Sequence, residues 1–139
     1  MSSLSPDQLT EFLGLMPFSE GLGVKLQSAD PSTVAGTLAW SAGRCTSGGI
    51  LHGGAIMSLA DTVGAICAYL NLPEGATTST VESKTNFFRS VRSGFVRATT
   101  RPLHVGSRTI VVQTDVLDDQ NRSVAVVIQT QAVLQRTSA

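Results

Sequence analysis

Charge is scarce in this sequence: only 14% of its residues are Asp, Glu, Lys or Arg, and ten bases balance ten acids. That balance excludes a generally basic nucleic-acid binder, and 42% hydrophobic residues exclude a disordered polyampholyte. Low charge also points to surface hidden in an oligomer. Cysteine and histidine are equally rare, two of each. Cys45 and Cys67 form no CxxC pair, and His52 and His104 stand in no ligand spacing, so neither a disulfide framework nor a metal site is expected. Five Phe, one Tyr and one Trp are too few for a base-stacking surface. The N-terminus lacks a basic segment followed by an apolar run, and no apolar run approaches about 20 residues. The expectation is a cytoplasmic protein that neither binds nor crosses a membrane. GxSxG, Walker and GxGxxG motifs are also missing, which argues against a serine nucleophile or a phosphate loop.

What is present fits one domain over residues 1–139. Ser5-Pro6-Asp7-Gln8 reads as a capping box, and Leu9, Phe12, Leu13 and Met16 follow at helical spacing. This predicts a short N-terminal helix closed by Pro17. Alternation then takes over: Val24 and Leu26, a turn at Asp30-Pro31-Ser32, and Val34, Gly36, Leu38 and Trp40 predict two antiparallel strands. From about Gly54 to Leu70 the period returns to 3.6, with Ile56, Leu59, Val63, Cys67 and Leu70 on one stripe and small residues around Asp61. A helix apolar or small all round is a buried helix. Four alternating or β-branched runs follow, joined by short turns at Arg92-Ser93-Gly94, Val105-Gly106-Ser107 and Asp118 to Ser123. The fold class is therefore α+β: an antiparallel sheet of about six strands curled around one long central helix, plus the short N-terminal helix.

Three features carry chemistry. Asp61 is the only formally charged residue between Cys45 and Pro73, on a helix face where Ala65 and Ala68 leave room beside it. A buried acid needs a partner or a task, because desolvating its charge is costly. A structural acid paired with an arginine or with backbone is the bland alternative. His52-Gly53-Gly54 stands at the helix start, where small residues leave backbone N–H groups open to a developing negative charge. It could equally be a plain turn. Between Ser83 and Thr114 lie six bases, Lys84, Arg89, Arg92, Arg97, Arg101 and Arg108, and no acid. Such a patch is either a solvated face or a seat for a small polyphosphate ligand.

With these residues in place, "GGILHGGAIMSLAD" and "VESKTNFFRSV" make the chain similar to the hotdog-fold acyl-CoA thioesterases of the phenylacetate-degradation (PaaI) type, related to the 4-hydroxybenzoyl-CoA thioesterases. The resemblance covers about Gly23 to Leu134. It implies a site shared between subunits of a dimer, usually doubled into a tetramer, and acyl-CoA as substrate with no metal and no separate cofactor. The Gly53 amide, beside Gly54, would polarise the thioester carbonyl. Asp61 would act as nucleophile or general base, and His52 would shape the turn. The resemblance further implies that the acid and a hydroxyl on the following strand come from opposite subunits, Thr80 filling or adjoining the hydroxyl's place. Arg89, Ser107 and Arg108 fall where relatives contact the nucleotide phosphates. One departure stands out: relatives often carry Asn or Gln six residues before the histidine, and this chain has Thr46, with one hydroxyl where an amide has both a donor group and an acceptor. Two other readings use the same scaffold: an enoyl-CoA hydratase or dehydratase, and an acyl-CoA binder without turnover.

Overall fold

The computed structural model describes residues 3–136, so the ends of the expected 1–139 domain, residues 1–2 and 137–139, lie outside the described residues. Helix α1 (Pro6–Gly14) opens on the capping box: Gln8 N–H donates to Ser5 Oγ at 3.2 Å, and Ser5 N–H donates to Gln8 Oε1 at 2.8 Å. Pro17 does not simply end the N-terminal helical region, as expected, but begins a second short helix, α2 (Pro17–Leu22). Proline is tolerated at a first helical position because no intrahelical acceptor waits for its missing N–H.

Strands β1 (Lys25–Asp30) and β2 (Thr33–Ala39) form the expected hairpin. Its turn is tied by Asp30, whose Oδ1 accepts from the Ser32 hydroxyl at 2.6 Å, the Ser32 N–H at 2.7 Å and the Thr33 N–H at 3.1 Å. The Ser32 hydroxyl is the main reason the Asp30 carboxyl is held below its ordinary range. After α3 (Gly53–Leu70) come β3 (Thr77–Phe87), β4 (Phe95–Val105), β5 (Thr109–Asp118) and β6 (Ser123–Leu134). All pairings are antiparallel, in the order β1-β2-β4-β5-β6-β3. The chain thus builds the expected six-stranded sheet around one long helix, the hotdog arrangement.

Leu59, Val63 and Ile66 of α3 join Val34, Leu38, Val96, Ile110, Val112 and Val116 from the sheet in one core. Gly36 lets the helix approach β2 closely, since a Cβ there would lie 2.9 Å from Val63 Cγ1. Two expectations about α3 need correction. By length and composition it could cross a membrane, contrary to the reading that no segment approaches this, but most of it is buried within the sheet. Nor is it buried all round: Met57, Asp61 and Tyr69 remain exposed along one stripe, because the curl of six strands does not close over that side. Ala68, expected on the same side as Asp61, is instead buried in the core.

The sheet's two edges differ. Strand β1 is six residues long, carries a bulge between Leu26 and Ser28, and packs against α1. Strand β3 is eleven residues long and almost wholly exposed, with Val81 at 64% and Phe87 at 48%.

Candidate active site

The helix tip is held by its approach loop. Gly48 and Gly49 both take positive φ, 79° and 72°, which glycine adopts without strain. Arg92 Nη1 donates to the Gly48 carbonyl at 3.2 Å and Trp40 Nε1 to that of Gly49 at 3.0 Å. Leu51 N–H then reaches Val91 O, and His52 N–H reaches Arg44 O. His52 is the N-cap of α3: its Nδ1 accepts from Gly54 N–H at 2.7 Å, which places the ring proton of the neutral imidazole on Nε2. The two glycine amides at the helix start therefore differ. Gly54's is taken by His52, and only Gly53's finds no acceptor among the described residues.

Gly53 lines a cavity of about 380 Å³ with Thr46, Phe87 and Arg89. The Phe87 ring lies over it, its Cζ 3.1 Å from where a Gly53 Cβ would be. Thr46 spends its N–H on Ile50 O, closing the loop. Asp61 lines a separate open cavity of about 350 Å³ with Gly54, Met57, Ser58, Thr80 and Ser83. A larger cavity of about 550 Å³ between α1 and β1 contains none of the expected site residues.

Asp61 is not locked to an arginine. Its Oδ1 accepts from the Thr80 hydroxyl at 3.0 Å and from Gln129 Nε2 at 2.9 Å, while Oδ2 has no partner among the described residues. The resemblance placed acid and strand hydroxyl on opposite subunits, whereas the Thr80 hydroxyl reaches Asp61 within a single chain. What one chain holds apart is the acid and the open amide. Eight residues separate Gly53 from Asp61 on α3, roughly 12 Å at about 1.5 Å per residue.

Ser107 and Arg108, two of the three phosphate candidates, are still more remote from the tip. Ser107 and Arg108 lie in the β4–β5 turn, where Arg108 O accepts from Val133 N–H, whereas Phe87 beside Gly53 pairs with Ala125. Along β6 that is eight residues, on the order of 26 Å. Arg89 alone of the three lines the Gly53 cavity.

Sequence reasoning missed two glutamines. Gln129 and Gln131 are fully buried on the inward row of β6, between Val127 and Val133. Gln131 Nε2 donates to Thr80 Oγ1 at 2.8 Å, and its Oε1 accepts from the Thr78 hydroxyl at 3.2 Å. The signal was legible as Val-x-Gln-x-Gln-x-Val, two amides at core positions of an alternating strand. Cys67 takes no part: burial pushes its thiol up to about 11, so it stays protonated in the core. No group of three His, Cys, Asp or Glu side chains among the described residues is placed to hold a metal.

Comparison with known proteins agrees with this fold. A family model described as the thioesterase superfamily matches residues 48–125, the loop, α3 and the strands through the start of β6. The 1,4-dihydroxy-2-naphthoyl-CoA hydrolase of Escherichia coli is 39% identical over 74 residues, covering 53% of this chain and 54% of that protein. The chain thus spans about half the length of this curated relative. The crystal structure of a thioesterase from Haemophilus influenzae superposes with a TM-score of 0.88 at 26% identity, covering 95% of this chain and 92% of that one. The E. coli PaaI structure, from the phenylacetic acid degradation operon, has a TM-score of 0.82 at 21% identity, covering 95% of each chain, a likeness of fold.

Proposed function

Since the chain belongs to the thioesterase superfamily, we propose that it hydrolyses an acyl-CoA thioester to the free acid and CoA, in a site shared by two copies of the chain. The observation that carries this reading is the roughly 12 Å between the open Gly53 amide and the Asp61 carboxylate, eight residues further along α3. One chain cannot bring both to a single thioester. Two can: if the open edges of two β3 strands pair antiparallel across a twofold axis, the Thr80 end of one strand meets the Phe87 end of the other. Asp61 and Thr80 of one copy then face Gly53 and Thr46 of the other. The same operation brings Ser107 and Arg108 of one copy toward Arg89 of the other, three candidates for the nucleotide phosphates. The length and exposure of β3 support this pairing, since an open edge strand is a template for another.

In this site the thioester carbonyl oxygen accepts from Gly53 N–H at the positive end of α3, which stabilises the oxyanion as it forms. Asp61 Oδ2 takes a proton from water, whose oxygen attacks the carbonyl carbon. The tetrahedral intermediate collapses, the C–S bond breaks, and CoA leaves as a thiolate. Direct attack by Asp61, giving an anhydride that water opens, reaches the same products. Neither route needs a metal or a separate cofactor, because the thiolate leaves readily. For the acyl group we propose an aromatic or medium-chain chemistry. The cavity of about 350 Å³ beside Asp61, flanked by Met57, supports this, as does the aromatic acyl group in the E. coli relative's name. Two such dimers pairing into a tetramer, and a cytoplasmic location suited to the free thiols Cys45 and Cys67, complete the reading.

The test is thiol release from a panel of aryl, short-chain and long-chain acyl-CoAs, with Asp61→Asn as control. Hydrolysis by the wild type and its collapse in the variant are expected. A change in enoyl absorbance without free thiol would select hydration instead, and tight acyl-CoA binding beside negligible release would select a binder.

A further inference from the structure

Gln129 occupies a place where an aliphatic residue would cost the fold less. It is fully buried on the inward row of β6, and the alternate inward positions on either side are Val127 and Gln131. Its Nε2 spends a hydrogen bond on Asp61 Oδ1 at 2.9 Å, while its Oε1 is buried and has no donor within reach. Turning the amide over would set a carbonyl oxygen against the carboxylate and leave the NH2 group without an acceptor, so the orientation is dictated by Asp61. A buried carbonyl left unpaired destabilises the fold, and such a group calls for an explanation. Gly64, one turn beyond Asp61 on α3, completes the arrangement: a Cβ there would overlap Gln129 Oε1. The glycine makes the space in which the glutamine reaches the acid.

We infer that Gln129, seated by Gly64, is a positioning residue that aims the Asp61 carboxylate, an inference resting on the hydrolytic reading above. Two donors, Gln129 Nε2 and the Thr80 hydroxyl, converge on Oδ1 and leave Oδ2 as the oxygen presented to the cavity. Gln131 extends the same device by one step. By donating to Thr80 Oγ1 it occupies that oxygen as an acceptor, so the Thr80 proton points to Asp61. Without Gln129 only the Thr80 hydroxyl restrains the carboxylate, and the fraction of time Oδ2 spends in line with water and thioester falls. Small misplacements of a reacting group cost rates on the order of 10²-fold.

The experiment combines kinetics with a measurement that needs no turnover. Gln129→Ala is expected to lower kcat about 10–100-fold with KM changed by less than about twofold, since no substrate contact is lost. Gly64→Ala is expected to do the same in the wild-type background but to have no further effect in Gln129→Ala, where its methyl group enters vacated space. In the proton–nitrogen spectrum, the Gln129 side-chain amide signal is expected to move on Asp61→Asn substitution. Wild-type kcat in Gln129→Ala would overturn the proposal. So would a Gly64→Ala loss that is equal in both backgrounds, which would mark plain crowding of the helix. An unmoved Gln129 signal would overturn the contact itself. A signal that moves in a protein releasing no thiol from any acyl-CoA would uphold the contact and overturn the hydrolytic reading alone.

Discussion

Helix α3 has two working faces made from one run of residues. The face carrying Leu59, Val63 and Ile66 is sealed against β2, β4 and β5, where the inward side chains are aliphatic except Thr100 and Thr114, whose buried hydroxyls pair with each other at 2.6 Å, and where dispersion and excluded water dominate. The face carrying Gly54, Ser58, Asp61 and Gly64 looks toward β3 and β6, where the partners are Thr80 and two glutamines and the cover is incomplete. The first face holds the fold together. The second is held in place by that fold, and it keeps an exposed acid, an orphaned amide oxygen and an open edge strand beside it.

Substitutions on the two faces should therefore separate activity from stability. The largest effect belongs to Asp61→Asn, which keeps shape and removes the base: thiol release should fall about 10²–10⁴-fold while thermal unfolding moves little. A large loss of stability instead would make Asp61 a structural acid. Next comes Val81→Lys on β3, harmless in a lone chain but placed where the second copy would cover it. Sedimentation should show monomers, and turnover should fall with the dimer fraction. Full activity in a monomer would dismiss the shared site.

On the sealed face, Leu59→Ala should cost about 2–5 kcal/mol in denaturant unfolding, with kcat of the folded fraction retained. His52→Ala removes the cap where the helix meets the cavity and should cost about 0.5–2 kcal/mol, whereas His52→Asn, also a good cap, should recover most of it. The smallest effect lies off the helix. Burial alone would raise the Asp118 carboxyl, but hydrogen bonds from the Arg122 N–H and guanidinium and from the Gln120 N–H hold it below its usual range. Asp30 is likewise lowered. A carboxylate depressed in the folded state stabilises it above the unfolded pKa, and that contribution disappears as pH falls through the folded one. Unfolding midpoints should therefore drop at acid pH, less so in Asp118→Asn.

Much of this was readable in the chain itself. Ser5-Pro6-Asp7-Gln8 is a local signature, and the closure of its hydrogen bonds needs no tertiary context. The period of α3 and the turns of the four following strands are similarly local. Pro17 was misread because the same residue marks a helix end or a helix start depending on the backbone before it. The open Gly53 amide was half legible: glycines at a helix start were evident, but which amide His52 would occupy depended on the turn its ring adopts. Gln129 and Gln131 stood in plain alternation on β6, yet amides in a strand are ordinary until the strand opposite is known.

By itself, the sequence determined that the chain would make a curled sheet around an apolar helix, because patterning of period two and 3.6 selects which faces leave water. It also determined that one acid would ride on that helix. Only the tertiary structure decided what surrounds that acid, since β3 and β6 come from 19 and 68 residues away to supply Thr80 and Gln129. The roughly 12 Å between Gly53 and Asp61, by contrast, follows from helical rise along α3 and was set by the same periodicity. What the tertiary structure added is the company each of them keeps, Phe87 and Arg89 at the tip and Thr80 and Gln129 at the acid.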